Sequence, residues 1–226
     1  MSPRSGFQFE QDLVALRRRL LREASVAIDM LERSLAALRG LDHAAVGPIR
    51  AQDDKVDLEE VEIEQEAYRL MIAERPYASD FRLLAFVLRT NGALERVADH
   101  GASIAKITAQ LKGLEVPPSP AALLDLAERI PIMCHDLMRA VMDEDVERAR
   151  EIMLGDKVMD SLDKQVFRDV VEMIHKDPES AEPAMLLYRV SRELERVGDL
   201  MSNIAEDVVY LVTGEIIRHE KRRKTG

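Results

Sequence analysis

The sequence predicts an all-α protein made of two tandem, duplicated antiparallel three-helix bundles, with six long helices in total. The composition favours helices, because 10 Gly and 9 Pro are few for a chain of 226 residues, of which only 4% are aromatic. Apolar residues recur three and four positions apart, most clearly from Val190 to Leu211. Segments about 100 residues apart also resemble each other, which indicates an internal repeat.

Turn-forming residues set the expected helix ends. Gly40 separates the first two helices, Pro76 ends the second, and Pro178 and Pro183 separate the last two. A Pro-rich segment at 114–120 lies near the midpoint of the chain. Helices are therefore predicted at residues 8–39, 44–74, 79–112, 121–142, 145–176 and 183–219.

Two pairs of matching segments define the repeat. LERVADHGASIA at 94–105 corresponds to LERVGDLMSNIA at 194–205, and the segment 53–57 corresponds to 156–160. Helices joined by short loops pack as antiparallel neighbours, so each copy is expected to be a three-helix bundle. We predict a first repeat at 8–113, a Pro-rich linker at 114–120, a second repeat at 121–219 and a basic tail at 220–226.

Acidic residues outnumber basic ones by 42 to 32, which gives a formal net charge of −10. This balance argues against direct nucleic-acid binding, which needs a basic surface, and favours cations or basic protein surfaces as partners.

The single cysteine, Cys134, favours a reducing, cytoplasmic setting. The longest apolar run is 83–88, so we expect neither a signal peptide nor a transmembrane segment. Motifs for nucleotide binding or nucleophilic hydrolysis do not occur in the sequence.

Four pairs of acidic residues at i, i+4 spacing form the candidate site. Residues four apart share one face of a helix, so each pair can offer two carboxylates to one cation. An acidic chain also produces such pairs by chance, and a solvated acidic face explains any single pair. The same two pairs recur at equivalent places in both repeats, which favours a cation site in each. The eight residues are Asp53, Asp57, Glu95, Asp99, Asp156, Asp160, Glu195 and Asp199.

Other motifs are weaker candidates for chemistry. Glu172 and His175 have the Glu-x-x-His spacing of di-iron bundles, but such sites need two copies of the motif, so a histidine at a helix end is expected. Cys134 and His135 are adjacent and point in different directions on a helix, which favours a buried thiol beside a surface imidazole.

Two further features have open interpretations. His100 follows Asp99 and is a candidate to support a ligand there, although its counterpart in the second repeat is Leu200. The basic segment 218–224 is typical of a solvated helix end, and it also suits contact with lipid headgroups, nucleic acid or an acidic partner.

The segment 194–219, LERVGDLMSNIAEDVVYLVTGEIIRH, resembles the C-terminal signature of the PhoU family, and ERPYASDFRLLAFVLRTNGALERVADHGASIAK at 74–106 resembles its first-repeat counterpart. The resemblance extends from about residue 8 to residue 219. It implies two tandem three-helix bundles whose eight paired carboxylates bind metal cations, with iron or zinc clusters expected first and magnesium or manganese as alternatives. It also implies Glu60 and Asp163 as additional metal ligands.

Two positions depart from the family's pattern. Ser103 stands where the family often has Asn, as at Asn203, and Lys106 replaces the acid present at Glu206. These departures imply a first metal site that differs from the second in strength or occupancy.

The resemblance implies regulation rather than catalysis. PhoU-like proteins couple the ATPase subunit of a phosphate ABC transporter to the sensor histidine kinase of a two-component system, and they repress phosphate uptake and the starvation response. The expected protein is a cytoplasmic adaptor, a homodimer, held near the inner face of the membrane by its partners. The alternatives are a di-metal carboxylate enzyme, either an oxidase or a phosphohydrolase, and a purely structural bundle.

Overall fold

The computed structural model describes residues 6–73 and 76–217, with only the backbone described at residue 73. These residues form six long helices and one 3₁₀ turn, and the described part of the chain contains no strand. The helices are α1 (Gly6–Gly40), α2 (Val46–Ala73), α3 (Ala78–Gln110), α4 (Ala121–Asp143), α5 (Val146–Lys176) and α6 (Ala181–Thr213), and the turn is Pro178–Ser180. The all-α prediction is confirmed.

Five of the six helices end close to their predicted positions, and α6 does not. We predicted a helix over 183–219, but α6 ends at Thr213 because Gly214 adopts a left-handed φ of 76°. Its N–H donates to the carbonyl of Tyr210 at 2.9 Å, which closes the last turn. The sequence signal was present in Gly214 itself. The predicted end of this helix at 219 and the basic segment 218–224 lie outside the described residues.

The two repeats share one hydrophobic core. Within each repeat all three helices contact one another, and α3 packs against α6 while α1 contacts α4. The apolar series of α6 is buried along its whole length, from Val190 at 0% exposure to Leu211 at 9%. Leu114 and Val116 of the linker also pack against this core. The duplicated bundles are therefore joined side by side through α3 and α6.

Polar contacts reinforce the boundary between the repeats. Nδ1 of the buried His100 lies 2.6 Å from Glu193 Oε2, and Arg89 donates to Asp207 at 2.8 Å. These pairs connect α3 to α6 and fix the relative position of the two repeats.

None of the helices in the described ranges has both the length and the apolar character needed to cross a bilayer.

Candidate functional site

The first carboxylate cluster comprises Asp53, Asp57 and Glu60 on α2 with Glu95 and Asp99 on α3. The 4, 3 and 4 residue spacings put each set on one face of its helix, and the two helices pack together. The backbones are anchored by buried neighbours such as Val56 and Leu94. The first cluster therefore lies at the rim of the core, with Asp57 and Asp99 exposed.

The second carboxylate cluster comprises Asp156, Asp160 and Asp163 on α5 with Glu195 and Asp199 on α6. Carboxylate oxygens of Asp156, Asp160 and Asp199 lie within 4.8 Å of one another. Over residues 6–73 and 76–217, no other group of three potential metal-ligating side chains has its ligand atoms this close together. The structure thus brings Asp199 close to both members of the pair Asp156 and Asp160, whereas Glu195 is not part of this trio.

Mutual repulsion and loss of water favour the neutral forms of these carboxyl groups. Partial burial, followed by the neighbouring Asp99 and Asp57, raises the pKa of Asp53 to about 6. Partial burial and Glu195 likewise raise the pKa of Asp199 to about 6. A bound cation would offset both the mutual repulsion and the loss of water, because it supplies opposite charge to the ionised carboxylates.

The donor set suits a hard cation. All ten candidate ligand residues offer carboxylate oxygens, which bind Mg²⁺, Mn²⁺ and Fe²⁺ well. Asp53 Oδ1 and Glu195 Oε2 are buried without a hydrogen-bond partner, which costs free energy unless a ligand engages them. The residues present therefore fit a divalent cation such as the iron, magnesium or manganese that the family resemblance implies. The most compact ligand set is Asp156, Asp160 and Asp199.

An arginine occupies the inner end of the second carboxylate cluster. Asp163, only 6% exposed, accepts hydrogen bonds from Ser191 Oγ at 2.7 Å and from Arg192 at 2.9 Å. The same guanidinium lies 3.3 Å from Glu195 Oε1. The predicted ligand role of Asp163 stays a prediction, and a metal there would compete with this ion pair.

The first repeat has Gly92 at the place of Arg192. Glu60 Oε1 lies 4.0 Å from the position that a Cβ at Gly92 would occupy. Beside it, Asn91 Nδ2 donates to the backbone carbonyl of Glu60 at 2.8 Å, while Asn91 Oδ1 is buried without a partner. The inner end of the second cluster therefore carries a positive charge that the inner end of the first cluster lacks.

Sequence reasoning missed Glu23 of α1. This residue is 3% exposed, and neither carboxylate oxygen has a hydrogen-bond partner. Burial, followed by the charges of Glu59, Glu60 and Glu95, raises the pKa of Glu23 to about 8. The signal that could have found it is a Glu at the spacing of the apolar stripe, three residues after Leu20.

Among the described residues, no histidine or cysteine joins a group of three close metal-ligating side chains. The ring of His100 contacts Glu193 across the repeat boundary through Nδ1, and the hypothesis that it supports Asp99 stays a prediction. Cys134 is buried and His135 is exposed with Nε2 2.9 Å from Glu32, as predicted. His175 lies in the last turn of α5, also as predicted.

Comparisons with known proteins agree with the duplicated fold. The PhoU domain matches residues 20–108 and again 123–208. A phosphate-specific transport system accessory protein PhoU homolog of Deinococcus radiodurans is 35% identical over 75% of this chain and 79% of its own length. A Clostridium acetobutylicum protein of the same description is 29% identical over 92% of this chain and 95% of its own.

Solved structures show the same architecture. The crystal structure of PhoU from Pseudomonas aeruginosa superposes with a TM-score of 0.88 at 27% identity, covering 92% of this chain and all of that one. The phosphate transport system regulatory protein PhoU from Streptococcus pneumoniae gives a TM-score of 0.85 at 27% identity, covering 92% of this chain and 98% of that one. With the domain matched in both repeats, this chain belongs to the PhoU family.

Proposed function

We propose that this protein is an accessory regulator of a phosphate-specific transport system, which restrains uptake and represses the starvation response when phosphate is sufficient. The observation that carries the proposal is the PhoU domain matched in both repeats. The names of the relatives, which describe accessory proteins of phosphate-specific transport, support it further.

The finer proposal is an adaptor in the cytoplasm that contacts the transporter's ATPase subunit and the sensor histidine kinase, and that forms a homodimer. Exposed apolar side chains on α2 support protein contacts of this kind, since Leu58 is 68% and Ile72 is 86% exposed. The net charge of −10 favours partners with basic surfaces.

Deletion of the gene from its own host tests the regulatory role. We expect a phosphate-starvation reporter to become active in phosphate-rich medium, because the repressing adaptor is missing, and to fall silent again when the wild-type gene is restored. Reporter activity measured in rich medium is the readout. A reporter that stays silent after deletion would contradict the proposal.

We further propose that the two carboxylate clusters bind metal cations. The support is the donor chemistry, the close trio of Asp156, Asp160 and Asp199, and the repetition of the paired carboxylates. A bound metal would hold α2 to α3 and α5 to α6 by neutralising their facing charges. A regulatory role is favoured over a di-metal enzyme because the relatives are described as accessory proteins of phosphate-specific transport.

The double substitution Asp99→Asn with Asp199→Asn tests metal binding. We expect the metal bound after purification, measured by elemental analysis, to fall several-fold, because each change removes one charged ligand from one cluster. Circular dichroism of both proteins controls for folding. Equal, negligible metal in wild type and variant would refute the metal sites.

A further inference from the structure

We propose that the outer face of α2 is a docking surface for a helix of a partner protein, one that has an apolar seam flanked by basic residues. This inference rests on the proposed adaptor role and deepens it, because it names the surface that the adaptor uses and the chemistry of the segment that it contacts.

The surface is a row of apolar side chains along α2, which we call the α2 stripe. It consists of Leu58, Val61, Tyr68 and Ile72, with Gln65 at the middle position, and all five residues are exposed. Successive members are 3, 4, 3 and 4 residues apart, which is the spacing of positions a and d in a heptad repeat. The stripe is about 21 Å long. A face with this spacing suits a second helix better than an extended segment.

The second repeat shows that the fold does not require the α2 stripe. Helix α5 takes the place of α2 there, and its four equivalent positions, at the offset of 103, are also exposed. Three of the four apolar residues are replaced by polar ones. The counterparts of Leu58, Val61, Tyr68 and Ile72 are Ser161, Lys164, Val171 and His175. A row of exposed apolar side chains that the other copy largely lacks is typical of a binding surface.

Charges beside the α2 stripe indicate the chemistry of the partner. The heptad puts Asp57, Glu62, Glu64 and Arg69 at positions e and g, which flank the seam and set the choice of partner. Three of these four residues are acidic. Lysine or arginine at the flanks of a partner helix would therefore form pairs of opposite charge with α2.

Contacts within the first repeat leave this acidic excess in place. Glu62 shares the guanidinium of Arg19 with Glu59, and Arg69 donates to Glu66 of its own helix at 2.6 Å. Helix α2 as a whole has eight acidic and three basic residues. Two copies of this chain joined through the stripe would bring two acidic helices together, which is repulsive. The charge therefore favours a basic helix of another protein over a second copy.

Two labelled synthetic peptides of three heptads test the proposal. Both have leucine at positions a and d; one has lysine at e and g, and the other has glutamate there. Fluorescence anisotropy measures the affinity of each peptide for the full-length protein at physiological ionic strength. We expect the lysine peptide to bind at least about ten-fold more tightly than the glutamate peptide, because only lysine complements the acidic flanks of α2.

Leu58→Ser with Ile72→His copies two residues of the second repeat into the α2 stripe. We expect the affinity for the lysine peptide to fall at least about ten-fold, because two apolar side chains no longer become buried on binding. Leu154→Ser on α5 is the matched control, since Leu154 is 67% exposed and Leu58 is 68% exposed. The control should bind as wild type does, and circular dichroism checks the folding of each variant.

Glu62→Gln with Glu64→Gln tests the acidic flanks separately from the apolar seam. We expect this variant to bind the two peptides with more similar affinities than wild type does, because the charges that distinguish lysine from glutamate are reduced. An unchanged preference for the lysine peptide would overturn the assignment of a basic partner.

The remaining outcomes separate the docking surface from the regulatory role. If Leu58→Ser with Ile72→His binds the lysine peptide as wild type does, or if wild type binds neither peptide, the docking surface is refuted. If sedimentation shows a wild-type dimer that this variant loses, a second copy occupies the stripe and the proposal is overturned. Activation of the starvation reporter by gene deletion would uphold the regulatory role in each of these cases.

Discussion

At the scale of single residues, the most informative side chain is one that breaks the apolar pattern of its helix. Glu23 occupies a core position between Leu20 and Ala27, yet it has no hydrogen-bond partner. An unsatisfied buried carboxyl group costs on the order of 1–3 kcal/mol of stability. The protein tolerates this cost in the first repeat, whereas the second repeat places Leu126 at the same position.

The metal-free protein should lose stability as the pH rises towards 8. The pKa of Glu23 is raised from its ordinary 4.5 to about 8 in the folded state, so between these values the folded chain holds a proton that the unfolded chain has released. Stability therefore increases as the pH falls through this window, with a maximum slope of about 1.4 kcal/mol per pH unit for one proton. Urea unfolding of chelator-treated protein at pH 5.5, 7 and 8 measures the slope.

Glu23→Leu is the control for this pH dependence. The raised pKa values of Asp53 and Asp199 act in the same direction but are present in both proteins, so they cancel in the difference. The variant should have a flatter stability curve and higher stability at pH 8. Parallel curves for the two proteins would show that Glu23 ionises normally.

At the scale of elements, glycines distinguish a helix end from a helix interior. Gly214 has a φ of 76° and ends α6, where its N–H bonds to Tyr210 and the nearby Leu211 carbonyl accepts from Arg82 at 3.1 Å. Gly155 lies inside α5, where a Cβ would meet only open space. The same residue type therefore has opposite effects on helix stability at the two positions.

Alanine substitutions should show this difference in sign. Gly214→Ala is expected to destabilise the protein by about 1 kcal/mol because alanine is strained at positive φ. Gly155→Ala should stabilise it by about 0.5–1 kcal/mol because alanine loses less backbone entropy on entering a helix. Urea denaturation midpoints measure both effects. Shifts in the same direction would contradict this account of the end of α6.

At the scale of the whole molecule, duplication gives two similar carboxylate clusters on one shared core. The two copies pack through α3 and α6, and they have diverged where they meet. The pair of His100 and Glu193 has apolar counterparts, Leu200 and Ala93, on the other side of the pseudo-symmetric boundary. The clusters have diverged too, because Arg192 gives the second cluster a positive charge that Gly92 does not give the first. Duplication thus preserved the architecture while it made the repeats unequal.

Much of the fold could be predicted from the sequence, because helix periodicity and turn residues are local signals. The apolar series of α6 marked its buried face correctly, and the prolines marked the ends of α2 and α5. The end of α6 was missed because Gly214 ends the helix only by adopting a positive φ. The spacing of residues in the sequence does not predict that conformation. The neighbours of His100 were missed because they come from a different repeat.

By itself, the sequence determined the helical class, the duplication and the eight paired candidate ligands, since residues four apart on a helix share a face in any fold. Only the tertiary structure decided which of those carboxylates meet. It brought Asp156, Asp160 and Asp199 within 4.8 Å of one another and set Arg192 against Asp163. It also buried Glu23 of α1, where burial and the charges of Glu59, Glu60 and Glu95 raise its pKa. Contacts between helices depend on packing across the core, which brings together residues that are far apart in the chain.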